Sequence, residues 1–224
     1  RSGIKKQAGL WKRLKKAVHR GRDEGLMMVL HLILKEALSW VGVLFYPFYY
    51  FKEVSPSDLA SRIAAIPADY EFSFFGPQEL QFISEHPERK GYVKEEYVHE
   101  NLQAGDTCLG CRYKGEIAGF TWFSLAENRH WYYRSLMKAN EAYLYDIFIF
   151  KAFRGQNLSL ILRLKNYEIL SKMGRDTFYS ITDYSNTPSF RFKKKLGAQI
   201  VFKGWHLECF DRWRKTFIIK TYPH

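Results

Sequence analysis

Residues 141–197 constrain this chain more than any other stretch, because apolar runs and turn signals follow one another there in a fixed order. Residues 141–150 are apolar almost throughout and are broken by one charge, Asp146, the pattern of a strand buried on both faces. Alternation puts Asp146 on one face of that strand with Leu144, Phe148 and Phe150. Residues 151–159 form a turn that contains Arg154-Gly155, and it opens a helix that runs to about Met173 and stops at Gly174. Residues 177–182 read as the next strand, and Asn186-Thr187-Pro188-Ser189 opens a further helix that ends before Gly197. A tight turn feeding a helix leaves backbone N–H groups unpaired and aimed at one spot, with the positive end of the helix dipole behind them. Such a spot suits a phosphate.

The order and spacing of these residues resemble the GCN5-related N-acetyltransferase (GNAT) family. The turn from Arg154 to Ser159, preceded by Phe153, is similar to that family's Arg/Gln-x-x-Gly-x-Gly/Ala turn. Asn186, Ser189, Phe192, Lys195 and Gly197 match its second half: Asn, then a small residue at +3, an apolar one at +6, Lys at +9 and Gly at +11. The resemblance spans roughly residues 68–210. It implies an α+β fold, with a central twisted mixed β-sheet flanked by helices. It also implies an acyltransferase that moves an acyl group from acetyl-coenzyme A, or a longer acyl-coenzyme A, to an amine or hydroxyl acceptor by direct transfer. In the family a strand with a splayed edge holds the pantetheine and the following turn wraps the pyrophosphate. Carried over residue by residue, donor contacts fall on Phe148 and Ile149, on Arg154, Gly155, Gln156, Asn157, Leu158 and Ser159, and on Asn186 and Ser189. Three positions depart from the pattern. Asn157 and Ser159 replace glycines that let the backbone approach phosphate, although Asn tolerates left-handed geometry and Ser is small. Lys193 stands at +7, where many members carry a Tyr that protonates the departing thiolate. With Lys194 and Lys195 it reads as a solvated helix face.

Acyl transfer from a thioester needs a neutral nucleophile, a group to accept its proton, a polariser for the carbonyl and an acid for the thiolate. Asp146 is the leading base, since desolvation by its neighbours raises a carboxyl pKa. The alternative is a carboxylate paired to a nearby Arg or Lys. Glu141, at the strand's start, is the second candidate. Tyr184, just past the next strand, is the candidate acid, and its alternative is a loop tyrosine packing on a helix. Asn186 can bond pantetheine carbonyls or simply cap its helix. No metal is expected: His99, His130 and His206 are scattered, and Cys108-Leu-Gly-Cys111 lacks a second ligand pair. With Cys209 these are the three cysteines, too few for a disulfide framework, which favours a reducing compartment.

Charge divides the chain. The net charge is +12, yet residues 1–22 alone hold nine basic residues and no acidic one, which leaves +3 for residues 23–224. In that arm Leu10, Trp11, Leu14 and Val18 fall at helical spacing among lysines and arginines. This is the pattern of an amphipathic helix on an anionic membrane surface, or of one docked on its own domain or on a dimer mate. Residues 26–51 are the most hydrophobic stretch, but His31 and Lys35-Glu36 argue against a simple span. A monotopic helix, a shallow hairpin, or helices packed on the sheet are the alternatives. No signal peptide is evident, so a cytoplasmic protein is expected, either free or peripheral on the inner face of the membrane. Residues 1–54 therefore read as an N-terminal helical extension and 55–224 as the acyltransferase domain. The nearly neutral body disfavours nucleic acid. Two other functions stay open. One is long-chain N-acyl transfer from an acyl carrier protein, whose acidity would suit the basic arm. The other is a non-catalytic relative bound to membrane.

Within the body, helices are expected at 58–65, 77–84 and 94–102, and a strand at 70–75. A hairpin is expected over 107–113 and 116–125, turning at Lys114-Gly115. An aromatic, basic insertion occupies 128–140. Late strands are expected at 199–203, 205–210 and 212–221.

Overall fold

The computed structural model describes residues 33–35, 37–89, 95–210 and 212–223. The basic arm and residues 26–32 of the apolar segment lie outside the described residues. In order, the elements are β1 (Val43–Val54), α1 (Leu59–Ala64), β2 (Tyr70–Phe74), α2 (Pro77–Glu85), α3 (Glu95–Gln103), β3 (Thr107–Tyr113) and β4 (Glu116–Ser124). Then come the short β5 (Glu127–Asn128) and β6 (Ser135–Leu136), β7 (Glu141–Ile149), α4 (Leu158–Lys172), β8 (Thr177–Asp183), α5 (Thr187–Lys195), β9 (Gln199–Cys209) and β10 (Trp213–Thr221). The chain divides into two compact units, one of residues 50–181 and 191–200, the other of residues 1–49, 182–190 and 201–224.

The larger unit is an α+β body on a mostly antiparallel sheet, in the order β1-β8-β7-β4-β3-β2. Pairs β2–β3, β3–β4 and β4–β7 are antiparallel and follow short connections, whereas β7–β8 is parallel because α4 carries the chain across. Alternate residues feed two faces. Cys108, Phe120, Trp122 and Phe150 pack with Leu80 and Ile83 of α2 and Val98 of α3. Leu109, Cys111, Leu144 and Phe178 pack on the side of Leu158, Leu162, Leu164, Tyr167 and Leu170 of α4. Cys108 and Cys111 thus point to opposite faces, as alternation requires.

Three expectations are corrected. Residues 43–54, placed by sequence in the helical extension, form strand β1, in which Phe45, Phe48, Tyr49, Tyr50 and Phe51 are all buried. An aromatic run that fits a pleated, buried surface prevails over its apolar helical look. The two late strands are one strand, β9, unbroken at Gly204, where a Cβ would meet the Phe48 ring at 2.5 Å. Here glycine allows a close approach instead of a turn.

Lys193 is the third. It is 3% exposed, not solvated, while Lys194 and Lys195 remain on the surface. Its ammonium donates to the carbonyl of Ile181 at 3.0 Å and lies 4.9 Å from the Phe51 ring. Beside it Glu53, also buried, accepts from Tyr167 Oη and Ser180 Oγ, each at 2.5 Å, and faces Arg163 Nε at 3.5 Å. Burial, with the Arg163 charge, lowers the Lys193 pKa to about 7 against the pull of Glu53. Burial pushes Glu53 up, but Arg163, Lys193, Ser180 and Tyr167 together hold it below the usual carboxylate value.

Two buried cations thus share one carboxylate, and this generates a testable asymmetry. Lys193→Met leaves a neutral Glu53–Arg163 pair and should leave the thermal midpoint unchanged or raised. Glu53→Gln leaves both cations uncompensated and should cost about 3–5 kcal/mol. Because the folded pKa of Lys193 lies below its unfolded value, its contribution to stability is lost as pH falls from above 10 towards 7. Denaturant titrations between these limits should show wild-type stability rising with pH and a flatter curve for Lys193→Met.

Candidate active site

Strand β7 parts from its neighbour early. The parallel ladder with β8 covers only Glu141↔Thr177, Ala142↔Phe178 and Tyr143↔Tyr179, while β7 continues to Ile149. Among the described residues the β8-facing edge of β7 has no partner strand beyond Tyr143, which leaves that edge open to an extended ligand.

The opposite edge of β7 holds a β-bulge. Trp122 pairs with Tyr145 and Phe120 with Phe148, so Thr121 alone faces Asp146 and Ile147. Asp146 takes φ +44°, a left-handed conformation that Asp tolerates better than most residues. The extra residue shifts the alternation. Tyr145, Phe148 and Phe150 share the α2–α3 face, whereas Leu144, Ile147 and Ile149 turn toward α4. The expectation that Leu144 shares a face with Phe148 and Phe150 is therefore wrong, because a two-residue period cannot register a bulge.

The Asp146 carboxylate is half-buried and accepts from Arg89 Nη2 at 2.7 Å. Arg89 itself is held against aromatic faces, 4.7 Å from the Phe148 ring and 5.3 Å from that of Phe120. Burial raises the Asp146 pKa above the ordinary aspartate value, and Arg89 opposes but does not cancel this. Burial also raises the Tyr97 phenol and the Cys108 thiol, and the Asp146 charge adds to both. The result is a desolvated carboxylate that keeps one strong donor and can take up a proton near the unpaired stretch of β7. Arg89 lies 57 positions before Asp146, and no local sequence signal connects them.

The turn after β7 starts with a 3₁₀ segment, Lys151–Phe153. Glu88 anchors it, its carboxylate accepting the Lys151 N–H at 3.0 Å and Arg154 Nη2 at 3.0 Å. Arg154 also donates from Nε to the Ile149 carbonyl at 2.8 Å and lies 5.4 Å from the Phe148 ring. Gly155 follows at φ +90° and Asn157 at φ +56°, where it caps α4 by its backbone alone. Asn157 therefore adopts the left-handed geometry for which the family pattern uses glycine. The Gln156 side chain accepts from Tyr70 Oη at 2.9 Å, and Leu158 is buried under α4. Among the described residues, the backbone N–H groups from Gly155 through Ser159 have no hydrogen-bond partner. A Cβ on Gly155 would meet nothing within 4 Å. These observations fit a phosphate-bearing ligand: an open, glycine-permitted approach to consecutive free donors at a helix N-terminus.

The other predicted site residues make contacts of their own. Glu141 is buried at the start of β7, roughly 15 Å of strand from Asp146. Its carboxylate accepts the Lys138 N–H at 3.0 Å and lies 3.4 Å from Tyr179 Oη. In the smaller unit, Tyr184 stacks on Tyr49 with centroids 5.4 Å apart and donates its N–H to Pro47. Asn186 caps α5, its Oδ1 accepting the Ser189 N–H at 3.2 Å, and the hydroxyls of Ser189 and Thr182 meet at 3.1 Å. A cavity of about 520 Å³ between α2 and α3 is lined by Leu80, Gln81, Val98, His99 and Leu102. Among the described residues no three His, Cys, Asp or Glu side chains gather to hold a metal ion.

Comparison with solved structures gives the same fold at low identity. A conserved protein from Staphylococcus epidermidis aligns at 9% identity and TM-score 0.54, over 78% of this chain and 66% of that one. A tandem GNAT protein from the clavulanic acid biosynthesis pathway aligns at 16% and 0.54, over 80% and 55%. A GCN5-related N-acetyltransferase-like protein from Streptococcus suis aligns at 15% and 0.51, over 81% and 68%. The chain spans between 55% and 66% of the length of the first solved chains it matches. No curated protein sequence matches it significantly. The model of the acetyltransferase (GNAT) family matches residues 71–198, which include the bulged strand, the turn and α4. With that match over more than half of its length, the chain belongs to the GNAT acetyltransferase family.

Proposed function

We propose that the protein transfers an acyl group from acyl-coenzyme A to an amine, with the donor bound along β7 and on the turn before α4. The single observation that carries this is the run of unpartnered N–H groups from Gly155 to Ser159, directly after the unpaired edge of β7. The free amides and the N-terminus of α4 would hold the pyrophosphate. The β7 edge up to Phe148 would pair with the pantetheine as an added strand would, and Arg154 already occupies the Ile149 carbonyl.

The bound thioester supplies an activated carbonyl carbon. The acceptor amine forms the new C–N bond there, the C–S bond breaks, and the thiolate leaves with coenzyme A. Asp146 receives the proton that the amine sheds, directly or through one water, and Arg89 holds the carboxylate in place. An acidic carrier protein could present the same thioester to a chain of net charge +12.

Calorimetry tests the donor reading, with acetyl-coenzyme A, long-chain acyl-coenzyme A and acyl carrier protein as titrants. Binding of either kind of donor supports acyl transfer, and binding of none overturns it. Asn157→Val should weaken coenzyme A binding at least severalfold without unfolding, because a β-branched residue resists φ +56°. Asn157→Gly should retain or improve it.

Asp146→Asn should lower kcat by about 10²–10⁴ with little change in donor affinity. In the wild type, kcat/KM should fall as pH drops through a value above the ordinary aspartate pKa, since the proton acceptor is lost on protonation. Unchanged turnover in Asp146→Asn would remove that assignment while leaving the donor reading intact.

A further inference from the structure

We propose that the tip of the β9–β10 hairpin, with Trp40 and Val41 beside it, docks the protein on an anionic lipid surface. The observation is independent of the donor turn and of the N-terminal arm. Strands β9 and β10 pair from Trp213↔Cys209 to Thr221↔Phe202, and the turn between them closes with the Arg212 N–H donating to the Cys209 carbonyl at 3.1 Å. On one face of β9, Phe202, Gly204, His206 and Glu208 are buried, so the hairpin is held from that side.

The tip is nevertheless apolar. Phe210 is 69% exposed, Trp213 46%, Trp40 82% and Val41 59%. Phe210 is fixed to the segment that carries Trp40 and Val41 by its contact with Gly42. The Phe210 N–H donates to the Gly42 carbonyl at 2.8 Å, and its ring lies so close to Gly42 that a Cβ there would come within 2.7 Å. Phe210 also takes φ +53°, a conformation that a bulky residue adopts only under constraint. A constrained, outward aromatic tip beside an exposed Trp is an interaction feature, not surface scatter.

Charge selects the occupant. Arg212 in the turn and Arg214 and Lys215 on β10 are all exposed. Arg214 bonds Glu208 at 2.7 Å, while Arg212 and Lys215 have no ion-pair partner among the described residues. Exposed rings interleaved with exposed cations suit a bilayer surface, where Trp and Phe enter the headgroup region and Lys and Arg meet phosphate. A second copy would set these cations against their own kind. Among the described residues no helix is long and apolar enough to cross a membrane, so the contact is one of lying on the surface.

The test uses the full chain with vesicles of phosphatidylcholine, with and without phosphatidylglycerol. Co-sedimentation should require the anionic lipid and weaken with salt. Phe210→Ser with Trp213→Ser should reduce binding roughly tenfold or more. Trp40→Phe with Trp213→Phe is conservative enough to keep the fold. It should retain vesicle binding but lose most of the quenching of Trp emission by brominated lipid. The proposal fails if the serine variant is folded and still binds fully, or if quenching is unaffected by the phenylalanine variant. It also fails if wild type does not bind and sedimentation shows a dimer that the serine variant dissociates.

Discussion

Strand β7 is hydrogen-bonded to β4 along most of its length but to β8 at only three residue pairs, and this inequality positions everything at the candidate site. Had the β7–β8 ladder continued, its backbone groups would be satisfied internally and no extended ligand could use them. The bulge opposite Thr121 acts in the same stretch. It gives Asp146 a conformation outside the strand's pleat and brings its carboxylate to Arg89. Ladder end, bulge and turn follow in one continuous segment, so the turn before α4 and the Asp146 carboxylate are coupled by covalent geometry and not by packing alone.

On the α4 side of the same sheet, the cost of burying Glu53, Arg163 and Lys193 is met by hydrogen bonds that Tyr167 and Ser180 donate to Glu53 and that Lys193 donates to the Ile181 carbonyl. Arg163 still has Nε and Nη1 without a hydrogen-bond partner. Such a cluster adds little net stability relative to apolar packing, but losing its one anion would be severe. It also explains how a lysine occurs at the +7 position: at that point on α5 the chain enters the interior, where a carboxylate awaits it.

Much of the body was legible in the residues. The hairpin at Lys114-Gly115, the helix opening at Pro77 and the helix ended by Gly174 each rest on local chemistry, and each lies within a residue or two of its expected bounds. The same holds for the turn, where Asn157 adopts the left-handed geometry that its type allows. Failures came where local pattern was ambiguous. The aromatic run of β1 has no clean period, Gly204 marks a close approach to Phe48 and not a break, and three consecutive lysines on α5 look uniformly solvated. Only a packed neighbour distinguishes Lys193 from Lys194.

The candidate site divides along the same line. By itself the sequence determined that a strand, a phosphate-fitting turn and a helix follow one another, because turn residues, helix stops and apolar periodicity act over a few positions. It also determined that Asp146 is the one charge within that strand past Glu141 at its start. Only the tertiary structure decided that Arg89 would hold Asp146, that Glu141 would be spent on its own turn, and that Asn186 would cap a helix. It alone brought Phe210 against Gly42. These outcomes depend on contacts between residues far apart in the chain, on which local propensity has no bearing.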